Sequence, residues 1–196
     1  MMKISRFIWA LSLLAGSAFA AVQNGGEAPD FTLMDTNGDE VSLSDYEGEY
    51  VVLEWLNHGC PFVKSHYNSG NMQKLQKEFG ERGVIWLSIV SSAPGKQGHD
   101  TPEGHNKTAK EKGSAATAIL IDESGEVGQT YGAKTTPHMY IINPDGILIY
   151  QGGIDDSPRG DPAEAKNYVA AALESSMAGD PVSEANTRPY GCSVKY

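Results

Sequence analysis

The chain has 196 residues, 40% of them hydrophobic, and sets 25 acidic against 15 basic side chains for a formal net charge of -10. That balance repels phosphate backbones, and the basic residues are scattered, which argues against nucleic acid or an anionic membrane as partner. The length suffices for one well-cored domain and is short for two of ordinary size.

The first segment reads as an address. Lys3 and Arg6 precede an apolar run from Phe7 to Ala15, and Ala18-Phe19-Ala20 has the small-x-small form of a signal peptidase site. Residues 1–20 are therefore expected to be a signal peptide, since the run is shorter than the roughly 20 apolar residues of a spanning helix. Cleavage after Ala20 leaves 13 basic residues against 25 acidic ones, a formal charge of -12. The mature protein is expected in the periplasm or otherwise exported, with no membrane attachment after cleavage, in a compartment that permits disulfides.

Val22 to Glu27 is polar and glycine-rich, a short linker, and Ala28 to Leu33 is an entry segment. Asp35-Thr36-Asn37-Gly38 predicts a turn, Glu40 to Leu43 a short strand, and Ser44 a brief helical turn ending near Gly48. Residues 50 to 56 are almost all β-branched, aromatic or apolar, the pattern of a strand buried on both faces. Asn57, His58 and Gly59 end it, and a helix follows from Pro61. Asn68-Ser69-Gly70-Asn71 is a poor helix interior, so a break is expected there. Asn71 can cap a second segment on which Met72, Leu75 and Phe79 have helical spacing.

Val84 to Val90 predicts a second buried strand. A Ser/Gly/Pro loop over 91–100 leads to a polar helix opened by Thr101-Pro102-Glu103 and closed at Gly113. Ala116 to Ile121 is a third strand, and Ser124 to Tyr131 a short helix ended by Gly132. Thr135-Thr136-Pro137 precedes a fourth strand, His138 to Ile142, which turns through Asn143-Pro144-Asp145-Gly146 into an antiparallel partner, Ile147 to Gln151. Asp161-Pro162-Ala163-Glu164 has the form of a capping box, followed by an apolar stripe from Ala165 to Met177. Residues 180–196 have no period and read as an irregular tail carrying Cys192. Strands alternating with helices, then a hairpin and a last helix, predict an α/β fold with helices on both faces of a mixed sheet.

The chemistry centres on Cys60. It stands where a helix takes its N-cap, because Pro61 is favoured at the first helical position. A sulfur there lies beside unpaired N–H groups and the positive end of the helix dipole, which favour thiolate over thiol. The competing reading is a buried cysteine that only packs. Lys64, one turn on, shares its helix face; its charge either favours the thiolate or is simply solvated. Cys192 completes an even pair, and a bond to Cys60 would close a loop of about 132 residues, worth several kcal/mol in the chain-entropy model. The five histidines raise a metal reading, with His58 two residues from Cys60. His66, His99, His105 and His138 fall on other faces or elements, and no resident metal or cofactor is expected.

Four segments carry a family resemblance: Ala28-Pro29-Asp30-Phe31, Cys60-Pro61-Phe62-Val63-Lys64, Gly132 to His138, and Pro189 to Tyr196. Together they resemble a thioredoxin-fold protein of the peroxiredoxin-like (redoxin, AhpC/TSA) group, in its signal-peptide-bearing bacterial form, over nearly all of residues 21–179 and the tail. The resemblance implies a thioredoxin-like fold and thiol oxidoreductase activity. Cys60 would be the nucleophile toward a disulfide protein or a peroxide, restored by an external thiol reductant. It also implies that Thr136-Pro137 is the cis-proline position, where the proline lies beside the active thiol and the preceding backbone pairs with a bound peptide.

Departures shape the expected reaction. Val63 replaces the second cysteine of Cys-x-x-Cys, so Cys192 is the expected resolving thiol, with a static tether or an intermolecular bond as the other readings. Asn57 and Leu53 stand where a peroxiredoxin has a hydroxyl residue and a proline, and Thr136-Pro137 where it has an arginine. The groups that polarise a peroxide O–O bond are thus reduced to what the Asn57 amide can donate. A different class of function, a non-catalytic module binding copper or a partner protein through the same groove, is the alternative.

Overall fold

The computed structural model describes residues 22–159, 161–162 and 164–196. The predicted signal peptide lies outside the described residues.

Strand β3 (Val51–Trp55) is buried at all five positions and forms the centre of the sheet. It pairs in parallel with β4 (Ile85–Val90), which pairs in parallel with β5 (Ala118–Ile121). On its other side β3 pairs antiparallel with β7 (His138–Ile142), and β7 with β8 (Leu148–Gly152). The far edge is β1 (Thr32–Asp35), antiparallel to both β5 and β2 (Glu40–Ser42). The sheet thus runs β2-β1-β5-β4-β3-β7-β8 and is mixed. β1 falls partly in what the sequence marks only as an entry segment. It is only four residues long, with Thr32 and Met34 exposed and Asp35 buried, and pairing with β2 and the edge of β5 decides it.

Side chains alternate between the two faces as the pleat requires. On one face Val52, Trp86, Met139 and Ile141 pack against α1 (Pro61–Asn68), α2 (Asn71–Gly80) and α5 (Tyr168–Met177), through Val63, Met72, Phe79 and Leu173. On the other, Leu53, Trp55, Leu87, Ile89 and Tyr140 pack with Phe31, Leu43 and Tyr131, the last from α4 (Glu126–Tyr131). The polar helix α3 spans Pro102–Lys112, capped by the Thr101 hydroxyl and closed by Gly113 at φ 66°.

One strand position breaks the apolar pattern. Glu54 is fully buried, and an isolated carboxyl there would cost several kcal/mol. Trp86 Nε1 (2.8 Å), Ser88 Oγ (3.1 Å), Gln76 Nε2 (3.3 Å) and the Tyr67 hydroxyl (3.2 Å) donate to it. Burial raises its pKa, and these hydrogen bonds offset only part of that.

The break between α1 and α2 occurs where the sequence predicts it, but Gly70, at φ 79°, is the N-cap of α2, and Asn71 is already helical. The last helix is a larger correction. It begins at Tyr168, with the Asn167 side chain accepting from Ala170 N at 2.9 Å, and does not begin at the Asp161 capping box. Asp155 bridges to Asn167, Tyr168 N donates to Ile154 O, and Lys166 N donates to the Asp156 carboxylate. Residues 154–156 therefore hold 166–167 extended up to the first residue of the helix, and tertiary pairing overrides a local capping signal.

Candidate active site

The turn after β3 delivers Cys60 to the C-terminal end of the parallel strands, the usual place for a site in an open α/β sheet. Cys60 is the N-cap of α1 with Pro61 at the first helical position. Cys60 N donates to Asn57 O at 2.9 Å, closing the turn. Trp55, the last residue of β3, lies opposite His138, the first of β7. This register sets the Thr136-Pro137 peptide, which is cis, beside the cysteine. Cys60 Sγ lies 3.1 Å from Thr136 O, and the residue is fully buried.

The second sulfur comes from the far end of the chain. Cys192 Sγ is 2.8 Å from Cys60 Sγ; both are free thiols, outside the ~2.05 Å of a covalent S–S bond. What brings them together is a small two-stranded sheet: β6 (Thr135–Thr136) pairs antiparallel with β9 (Cys192–Ser193), with Thr136 opposite Cys192.

Burial by itself would raise the Cys60 pKa, and it is outweighed by hydrogen bonding from the Cys192 thiol, then by the Val63 and Cys192 N–H groups and Thr136. The net shift is downward. Cys192 is pushed up to about 11 by burial and by its place beside Cys60. The surroundings thus shift the two thiols in opposite directions, Cys60 down and Cys192 up. The helix amides are a smaller lever than the sequence suggests, because the Cys60 side chain makes no full capping hydrogen bond. The buried Thr136 hydroxyl has no geometric partner in the thiol form, which leaves it free for a thiolate.

Two sequence-predicted residues are placed differently. Asn57 is buried with both amide ends engaged: Oδ1 accepts from Gly59 N at 2.8 Å, and Nδ2 donates to Gln97 O at 3.0 Å. One of its two N–H groups is thereby taken, and the side chain ties the Cys60 turn to the loop after β4. Lys64 is exposed; its backbone N donates to Cys60 O at 2.9 Å, and among the described residues no hydrogen bond or ion pair joins its ammonium to the Cys60 sulfur. His58 packs edge-on against Tyr67, and burial pushes its pKa down to about 4. Among the described residues no three His, Cys, Asp or Glu side chains gather in a metal-holding group.

Other residues fasten the tail, and the sequence reading passed over them. Tyr190 Oη donates to Asp155 Oδ1 at 2.5 Å and lies 3.0 Å from His66 Nε2, while Asn71 Nδ2 holds His66 Nδ1 at 2.9 Å. The Tyr190 ring stands edge-on to Phe62 at 5.9 Å. Beyond Cys192, Val194 N donates to Lys134 O, Ala93 N donates to Lys195 O, and the Tyr196 hydroxyl donates to Ala133 O at 2.8 Å. A Cβ at Gly128 would lie 2.6 Å from that hydroxyl, so a glycine inside α4 makes room for the last residue of the chain. The available signal was an aromatic residue on each side of Cys192, in a segment with no period.

With this geometry in view, comparison with known proteins is direct. The profile of the AhpC/TSA family matches residues 24–151. The chain belongs to the AhpC/TSA family. It is similar to the thioredoxin-like protein YneN of Bacillus subtilis, 26% identical over 71% of this chain and 77% of that one. It is also similar to the thiol-disulfide oxidoreductase ResA of Bacillus subtilis, 27% identical over 66% of each. Among solved structures, a conserved protein from Geobacillus kaustophilus superposes with a TM-score of 0.80 at 31% identity, covering 92% of this chain and 94% of that one. A putative thiol:disulfide interchange protein DsbE from Chlorobium tepidum shares the fold, with a TM-score of 0.53 at 23% identity over 67% of this chain and 85% of its own. The AhpC/TSA chain is thus a thioredoxin-like redox protein by family and by fold. No helix among its described residues is long and apolar enough to cross a membrane.

Proposed function

We propose that this AhpC/TSA protein is an exported thiol-disulfide oxidoreductase in which Cys60 is the nucleophile and Cys192 the resolving thiol. The observation that carries the reading is the 2.8 Å approach of the two sulfurs across the β6–β9 pair, with the lower pKa on Cys60. The Cys60 thiolate attacks one sulfur of a partner's disulfide: a Cys60–partner bond forms, the partner's own S–S bond breaks, and one thiolate leaves to be protonated. Cys192 then gives up its proton and attacks Cys60 Sγ. A Cys60–Cys192 disulfide forms and the partner departs as a dithiol. An external thiol reductant returns the pair to the reduced state, and the same steps reversed oxidise a partner.

Disulfide is favoured over peroxide as substrate. The Asn57 carboxamide spends its oxygen on Gly59 and one of its two N–H groups on Gln97, and Thr136-Pro137 stands where a peroxiredoxin has its arginine. Pro137 and Thr136 shape the wall beside the sulfur, and Lys64 contributes at most a distant solvated charge. Residues 1–20 act as the export signal, 21–179 as the redoxin domain, and 180–196 as the resolving arm.

The test is trapping. With a protein disulfide as substrate, Cys192→Ser should accumulate a Cys60 mixed disulfide that the unaltered protein resolves, and Cys60→Ser should form none. Oxidation of Cys60 by hydrogen peroxide faster by orders of magnitude than by the protein disulfide would overturn the assignment in favour of a peroxidase.

A further inference from the structure

A tail that only had to carry a resolving sulfur would need length and little else, yet this one is fixed at several side chains around Cys192. We infer that the groove holding it is a recognition site for extended segments of the form aromatic-Gly-Cys. Tyr190-Gly191-Cys192 is the resident copy, and a partner protein enters by exchanging its own such segment for the tail. The inference rests on the thiol-disulfide reading above and names the partner for it.

Three observations carry it. First, Cys60 is fully buried, and the tail lies across it, so a partner's sulfur reaches it only after β9 has left. Departure of β9 leaves Thr135 and Thr136 with unpaired backbone groups. Such an edge accepts another extended strand, and the side-chain seats on either side of it set the specificity.

Second, the seat for the residue two before the cysteine is built for a phenol. Phe62 meets the ring, and the hydroxyl falls between His66 and Asp155, both nearly fully buried. With Tyr190 absent, His66 Nε2 and Asp155 Oδ1 lose that partner, and Asp155 Oδ2 already lacks a hydrogen bond, with His66 Nε2 4.0 Å away. A buried polar pair of this kind rejects an occupant that cannot hydrogen-bond to it. Beside the seat a cleft of about 650 Å³, lined by Phe62, Thr135, Tyr168, Arg188 and Gly191 among others, leaves room for an incoming chain to begin pairing before the tail is out.

Third, the middle position admits only glycine. Gly191 has φ 142°, and a Cβ there would lie 2.1 Å from Thr136 O, a backbone atom that cannot step aside. Any segment that sets its sulfur on Cys60 in the tail's register meets the same carbonyl. The position thus discriminates among partners, in addition to aiming Cys192.

The experiment uses the full mature chain carrying Cys192→Ser, with and without Tyr196→Ala to loosen the tail. The substrate is a synthetic peptide of residues 187–196 whose cysteine is a mixed disulfide with thionitrobenzoate. Attack by Cys60 on the peptide's sulfur forms the Cys60–peptide disulfide and releases thionitrobenzoate, whose colour gives the rate. The native peptide should react about tenfold or more faster than a scrambled peptide, the discrimination expected of one well-fitted pocket. Peptides with Tyr190→Ala or Gly191→Ala should fall to the scrambled rate, and Tyr196→Ala in the protein should speed the native peptide further. Equal rates for native, Gly191→Ala and scrambled peptides, in a protein that still reacts with the small disulfide of thionitrobenzoate itself, would overturn the recognition site and leave the redox reading standing. A protein inert to the small disulfide as well would overturn both.

Discussion

Gly191→Ala is the sharpest single perturbation of the tail. The added Cβ would sit 2.1 Å from Thr136 O, and φ 142° disfavours any L side chain. The backbone can yield only by parting β9 from β6, which share the pairs Thr135–Ser193 and Thr136–Cys192. At roughly 1 kcal/mol net per backbone hydrogen bond, abandoning this ladder costs about 2 kcal/mol. The reduced protein avoids the clash by letting its tail swing away. The oxidised protein cannot, because the disulfide keeps Cys192 against Cys60. Both forms give up the ladder, but only the oxidised form keeps the strain of a tethered tail, and each ~1.4 kcal/mol of that strain makes the Cys60–Cys192 disulfide easier to reduce by about 30 mV for a two-electron couple. Equilibration in glutathione buffers, followed by alkylation and mass measurement, reads the shift. Gly80→Ala is the control: it lies at the end of α2, and a Cβ there meets nothing within 4 Å. A Gly191→Ala potential no different from that of the control would show that the tail's backbone does not hold the sulfurs together.

Further outcomes follow from the same contacts. Cys192→Ala removes the leading hydrogen bond that lowers the Cys60 pKa while burial still opposes ionisation, so the pH midpoint of Cys60 alkylation should move upward; an unchanged midpoint would show that the helix amides suffice. Tyr190→Phe keeps the ring and strips Asp155 and His66 of the hydroxyl between them; denaturant titration should show a loss of about 1–3 kcal/mol, and Cys60 should alkylate faster. Glu54 ionises at higher pH folded than unfolded, so its contribution to stability is complete below the ordinary carboxylate range and is lost as pH rises through the raised value. Glu54→Gln stays neutral, and the variant should gain stability relative to the parent as pH rises from acid to neutral; parallel urea-midpoint curves for the two proteins would contradict this.

Local chemistry was enough to mark Cys60, because strand, turn, cysteine and proline sit within a few residues and their physics is local: a buried run, an N-cap, a fixed φ. The same holds for the central strands β3, β4 and β7, for the Asn143–Gly146 hairpin, and for the helix break at Gly70. The positions that only the tertiary structure decided are those whose partners lie far along the chain. Asp161 to Glu164 carries a sound capping signal, yet residues 154–156 hold 166–167 extended and delay the helix to Tyr168. Asn57 is a plausible donor by sequence position, and Gln97, 40 residues on, takes one of its two N–H groups. The segment after Gly179 has no period to read, since a two-residue strand and a pair of tyrosine seats repeat nothing. Its order comes from Thr136, His66, Asp155 and Gly128, and only folding brings those four to one end of the sheet.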